Sequence, residues 1–351
     1  MRIFSSVKQY KWGLALVPLL LLAVFLRSGL LDLNIKGADI FYHYAEAMRI
    51  KAGENPYQRI VGQDLLHNRK YPTLFPSAYL LILGLSALVR FDFTALTFVL
   101  RSLIVLADIL IVFILLRIAR DRGLPFLGLG AAIFWLFNRW SLYNFAQARL
   151  DTIVLSLVLL AVYLYHEESR FWPFLVMGVS LSIKHIGVFI LPLFFFDALR
   201  RKDFGKLVTQ VLILSSVPVI FSLPFVFRNP LGFLSSMGFS LTRVAASPTA
   251  GASWAYLLDK YRGKLLLGRF GESLFLRTFL YYFFPRLPLF IGFSLVTVFA
   301  YLENWGKYIF AFVGLLVFLA TNPVIFSQYF SWILPFAFVA GIETFSRKRV
   351  S

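Results

Sequence analysis

Four short stretches carry the side chains of this sequence best suited to chemistry. The first is Asp39 with Tyr42, His43 and Glu46, followed by Gly53-Glu54-Asn55-Pro56-Tyr57. The second is Asn138-Arg139 with Gln147-Ala148-Arg149-Leu150-Asp151. The third is Ser182-Ile183-Lys184-His185-Ile186-Gly187, and the fourth is the polar, aromatic turn from Thr321 to Trp332, with Gln328 and Tyr329 inside it. A carboxylate such as Asp39 can accept the proton of a reacting hydroxyl. Lys184, Arg149 and an assisting His185 can hold a phosphate by charge-assisted hydrogen bonds. Tyr42, Glu46, Tyr57, Gln147, Asp151, Gln328 and Tyr329 supply the polar and aromatic lining of a substrate cavity. Zero cysteines remove thiolate metal sites and cysteine nucleophiles, and four histidines leave little material for a metal cluster. No P-loop and no Ser-His-Asp arrangement occurs.

Each stretch also has a plainer reading. Asp39 at the start of a helix over Asp39–Lys51 is a good N-cap, and the local pattern fits that role as well as catalysis. Arg149 and Asp151 could form an interfacial ion pair. Lys184 could snorkel, although it lies far from either charged end of its apolar run. The 321–332 turn taken alone reads as an aromatic belt. Arg101 and Asp108, seven residues apart on one helical face, read as a fastening between helices.

These residues sit in a chain that is 59% hydrophobic and only 15% charged, with 40 Phe and a mean hydropathy of +0.77. Soluble domains carry about 25% charged residues, so a soluble fold is excluded and lipid must serve as solvent. Candidate spans fall at 13–31, 73–89, 96–116, 124–138, 151–165, 171–184, 186–198, 207–227, 287–302, 308–321 and 324–345. The first follows Arg2, Lys8 and Lys11, is long for a signal peptide and reads as a retained helix. Basic residues at both ends and in the turns 117–122 and 200–202 put both termini in the cytoplasm. An even number of crossings is then required. The segment 73–89, whose start has Pro72 and Pro76, is assigned as re-entrant or interfacial, leaving about ten crossings. The chain reads as one all-α, polytopic membrane domain over residues 1–351. A first outer loop at 32–90 carries interfacial helices, and a second long outer loop lies at 228–286. The net charge of +18 fits attraction to anionic membrane lipids or to an anionic lipid substrate, and no nucleic-acid module is visible.

The motifs, in this order, resemble GT-C-type glycosyltransferases, membrane enzymes that take sugars from polyprenyl-phosphate donors. Asp39, Phe41-Tyr42-His43-Tyr44 and Gly53-Glu54-Asn55-Pro56-Tyr57 resemble the first outer loop of those enzymes. Tyr71-Pro72-Thr73 resembles their re-entrant segment. Phe134–Asn138, Arg149–Val154, Lys184-His185 and Ser327–Trp332 resemble parts of the GPI and related mannosyltransferases. The likeness covers the chain except about 228–285. Where the GPI enzymes carry Asp-x-Asp, this chain has Gly37 before Asp39. That single-Asp pattern is similar to bacterial polyprenyl-phosphate-mannose enzymes. The resemblance implies an inverting hexosyltransferase, with mannose the first sugar to consider. The acceptor would be a lipid, glycan or protein at the outer face of a bacterial or archaeal plasma membrane rather than the endoplasmic reticulum. Asp39 would be its base, and no metal or other cofactor is expected. A flippase or transporter of a lipid-linked saccharide is the rival reading, since it too would use broken helices with intramembrane charges.

Overall fold

The computed structural model describes residues 17–31, 35, 39–60, 75–166, 169, 171–242, 286–322 and 325–350. The basic N-terminal residues, Gly37, Tyr71-Pro72-Thr73 and most of the 228–286 loop lie outside the described residues. So do the side chains of Arg347, Lys348 and Arg349. All regular structure among the described residues is helical: α1 Val17–Ser28, α2 Asp39–Lys51, α3 Pro76–Leu88, α4 Phe93–Asp121, α5 Pro125–Phe137, α6 Arg139–Ala146, α7 Asp151–Leu164, α8 Trp172–Ile183, α9 Leu191–Arg200, α10 Phe204–Arg228, α11 Pro230–Thr242, α12 Leu287–Leu302, α13 Lys307–Thr321 and α14 Tyr329–Val350. Short 3₁₀ turns occupy Pro56–Ile60 and His185–Ile190.

Local chemistry sets the helix ends. Asp92 caps α4 by accepting from the Ala95 amide at 2.6 Å, and Asp203 caps α10 through the Lys206 amide at 2.9 Å. Prolines stand in the first turns of α3, α5, α8, α9 and α12, where no amide hydrogen bond is lost. Gly123, at φ +69, takes the left-handed conformation that separates α4 from α5.

Among the described residues three helices are long and apolar enough to cross a membrane: α4, α10 and Tyr329–Ser346 of α14. α1, α3, α5, α7, α8, α12 and α13 are apolar but shorter. The apolar face of α10 is largely uncovered, with Phe227 80%, Leu212 63% and Ile220 62% exposed. An uncovered apolar stripe of this kind calls for lipid or another protein surface.

One of the sequence expectations changes in detail. The 186–198 span opens as a 3₁₀ turn and becomes α-helical only at Leu191. The 138–151 connection between the candidate spans 124–138 and 151–165 contains α6. Within the bundle, α8 packs between α7 and α10, α13 between α12 and α14, and α4 against α5, α7 and α14. α2 lies on α3. α8 and α10 pass closely at Gly178, where a Cβ would stand 2.4 Å from the Leu214 carbonyl oxygen of α10. A buried ion pair ties α1 to α4, Arg27 to Asp108 at 2.8 Å, and Trp135 of α5 donates to the same carboxylate at 2.9 Å. Arg101, one face-mate along α4, donates to the carbonyls of Phe145 and Ala146 at the end of α6. Both α4 charges therefore fasten helices. At the other end of α7, Lys307 caps the carbonyls of Tyr163 and Tyr165.

Candidate functional site

The start of α7, the broken end of α8, the start of α14 and the turn after α6 meet at one end of the bundle, and α2 lies across them. The α6–α7 turn is built by α6 itself. Asn138 caps α6 by accepting from the Trp140 and Ser141 amides at 3.0 and 2.9 Å. After the Gln147 C-cap the chain turns through Ala148, buried and at φ +49. A non-glycine residue in that region is strained. The turn aims Arg149 inward and starts α7 at Asp151.

The ion pairs do not follow sequence proximity. Arg149 faces Asp39 of α2, with Nη1 3.6 Å from Oδ2. Asp151, 2% exposed, is bound from two sides: Lys184 Nζ donates to Oδ2 at 2.8 Å and Trp332 Nε1 donates to Oδ1 at 2.9 Å. Lys184 can reach this far because it is the single extended residue, φ −156 and ψ 142, between α8 and the 3₁₀ turn. Ser77 at the start of α3 donates to the Ser182 carbonyl and ties that break to the α2–α3 pair.

Arg149 is the least satisfied member. Its guanidinium lies 5.0 Å from the Tyr143 ring centroid, and Nη2 donates to the Tyr143 hydroxyl at 3.4 Å. Its Nε and Nη1 are shielded from solvent and make no hydrogen bond to protein. Buried donors without acceptors are costly, about 1–3 kcal/mol each, and mark a place where an anion would be stabilised.

The chain matches no protein-family model, and no curated protein matches it by sequence. The geometry of the cluster therefore carries the reading. Among the described residues no group of three or more His, Asp or Glu side chains is arranged to hold a metal ion. The donors instead are cations and ring N–H groups, which suit an anion.

The remaining residues singled out from sequence divide into two groups. Tyr329 joins the cluster edge, its ring 4.3 Å from Trp332, which in turn stacks on Phe318 at 5.5 Å. His185 follows Lys184 and lies within electrostatic reach of it and of Asp151. Gln147 is half-buried at the end of α6, and Gln328 is buried with its carbonyl accepting from the Ser331 hydroxyl. Glu46 lies 3.9 Å from Arg49 of its own helix, and Arg49 also binds Glu54. Tyr42 is 53% exposed. Tyr57 is fully buried among Tyr79, Phe225 and Phe233.

His43 stands in the first of the four stretches, but the sequence gives it no role of its own. It lies one turn after Asp39, and the charges of Asp39, Lys184, Asp151 and Arg149 all act on it. Burial pushes its imidazole down to about 4, with Asp39 and Asp151 opposing and Lys184 and Arg149 adding to the effect. The signal was present: positions four apart share a helical face. Asn144, which donates to the Ser331 hydroxyl at 3.0 Å and so locks α6 to α14, gave no sequence signal.

Proposed function

We propose that this chain is a multi-spanning membrane glycosyltransferase of GT-C type that moves a hexose, with mannose the first candidate, from a polyprenyl-phosphate donor to an acceptor at the outer membrane face. The reading rests on one observation: Arg149, with two unmade buried donors, faces Asp39 at 3.6 Å, beside the Lys184–Asp151 pair. A carboxylate next to an unsatisfied cationic pocket is what single-step inversion requires. The acceptor hydroxyl attacks the anomeric carbon, and its proton passes to Asp39. The carbon–oxygen bond to the donor phosphate breaks with its electron pair, and the departing phosphate is held by Arg149 and Lys184, with His185 alongside. Nucleotide sugars are cytoplasmic, so an outward-facing site takes a lipid-carried donor. About ten crossings, with 73–89 re-entrant or interfacial and both termini cytoplasmic, place Asp39 on the outer side.

The test is a membrane assay with radiolabelled polyprenyl-phosphate mannose and vesicles carrying the chain. Label appearing on lipid, glycan or protein supports transfer. Movement of intact donor between leaflets without transfer overturns the reading in favour of a flippase.

A further inference from the structure

The cluster at the end of the bundle is electrically balanced as folded. His43 is faced from its own helix by Asp39, with Glu46 three residues on and Glu46's charge close to Arg49. From α3 it is faced by the ring of Tyr79, 6.0 Å between centroids. Arg149 acts on it from the α6–α7 turn, Asp151 from α7 and Lys184 from the break after α8, where His185 is the next residue. The formal charges of Asp39 and Asp151 cancel those of Arg149 and Lys184. A phosphodiester headgroup adds one negative charge to this set, and no further lysine or arginine of the described residues acts on His43 to offset it.

We propose that His43 supplies the missing charge, binding a proton when the phosphate of a lipid phosphodiester settles against Arg149 and Lys184. This rests on the reading of the cluster as an anion site and adds a third, conditional cation to it. Before binding, the imidazole is neutral near pH 7, because burial holds it down to about 4. One negative charge about 5 Å away strengthens proton binding by roughly a hundredfold at an effective dielectric of about 20. That brings the imidazole into the range where histidine titrates. The sign follows. The proton is bound more tightly in the occupied site than in the free one, so ligand affinity rises as pH falls. The rise starts at the pKa of the occupied state and ends near the free value of about 4, below which both states are protonated.

The experiment is calorimetry on the purified full chain with farnesyl methyl phosphate, a phosphodiester that does not itself titrate across this range. Titrations at about pH 6 in buffers of different ionisation enthalpy read the proton count directly. The expected result is uptake of a fraction of one proton, and binding about threefold or more tighter at about pH 5.5 than at about pH 8. In His43→Asn the uptake disappears and the affinity ratio between those pH values falls within about twofold. Binding by the native chain without uptake overturns the proposal and leaves the anion site standing. Uptake that persists in His43→Asn overturns it as well, and loss in His185→Asn instead names the other histidine. A probe that binds at no pH defeats the anion site and this proposal together.

Discussion

At the residue scale the decisive feature is the crossing of the ion pairs, Arg149 to Asp39 and Lys184 to Asp151. It gives the two carboxylates different duties. Asp151 is enclosed and doubly bonded, so it serves to hold Lys184 and Trp332. Asp39, paired with Arg149 at 3.6 Å, is 56% exposed on its side chain, which under the proposed function leaves it open to an acceptor hydroxyl. Asp39→Asn keeps shape and most hydrogen bonding but removes basicity. It is expected to cut transfer by 10²–10⁴-fold, roughly the worth of a general base, with donor binding nearly intact. Glu46→Gln, at a residue paired to Arg49, is expected to be much milder. Retention of more than about a tenth of the activity by Asp39→Asn would remove it as the base. Lys184→Met is expected to weaken donor binding or turnover at least about tenfold, given about 1.5–3 kcal/mol for a charge-assisted contact. It also strips buried Asp151 of its cation and should lower thermal stability. Combining it with Asp151→Asn separates the effects: stability recovers and donor binding does not. Native donor kinetics in that stable double variant would exclude Lys184 from the phosphate site.

At the element scale, the site depends on how helices end and how closely they pass. The extended Lys184 and the strained Ala148 aim their neighbourhoods into the cluster because α8 and α6 stop where they do. α8 is held in place by its contact with α10 at Gly178. Gly178→Ala would put a methyl group 2.4 Å from the Leu214 carbonyl oxygen, against backbone that cannot swing aside. The helices must separate, at a cost of about 1–3 kcal/mol by comparison with overpacked cores. A lowered unfolding temperature in detergent is the expected reading, and native stability would show that α8 and α10 do not meet so tightly. Element boundaries were legible in the sequence because caps, prolines and apolar runs act within a few residues of themselves. α6 was not legible, since an eight-residue helix rich in polar and aromatic side chains has no apolar run to announce it.

At the scale of the whole molecule, the uncovered apolar face of α10 and the three long apolar helices agree with a composition that only lipid can accommodate. Under the proposed function, the basic turns and termini give the orientation. Reporter fusions after Arg200 and after Lys348 are expected to read cytoplasmic, and a tag beside Asn55 is expected to be reachable from outside. A cytoplasmic reading at Asn55 would put Asp39 on the wrong side for a lipid-carried donor and an external acceptor.

By itself the sequence determined the class of the molecule, all-helical with long apolar helices, and most of the residues that gather at one end. Hydropathy and helical period are properties of neighbouring residues, so they can be read along the chain. The tertiary structure alone decided the partners. Arg149 and Asp151 are two residues apart, yet helical geometry turns them toward different neighbours, α2 and the break after α8. Tyr57 is packed by Phe225 and Phe233, both distant in sequence. His43 became part of the site only when Arg149, Asp151 and Lys184, distant in sequence, joined Asp39 of its own helix around it. Coulombic and packing energies depend on distance in space, and α2, the α6–α7 turn, the end of α8 and the start of α14 are brought within that distance only by the folded bundle.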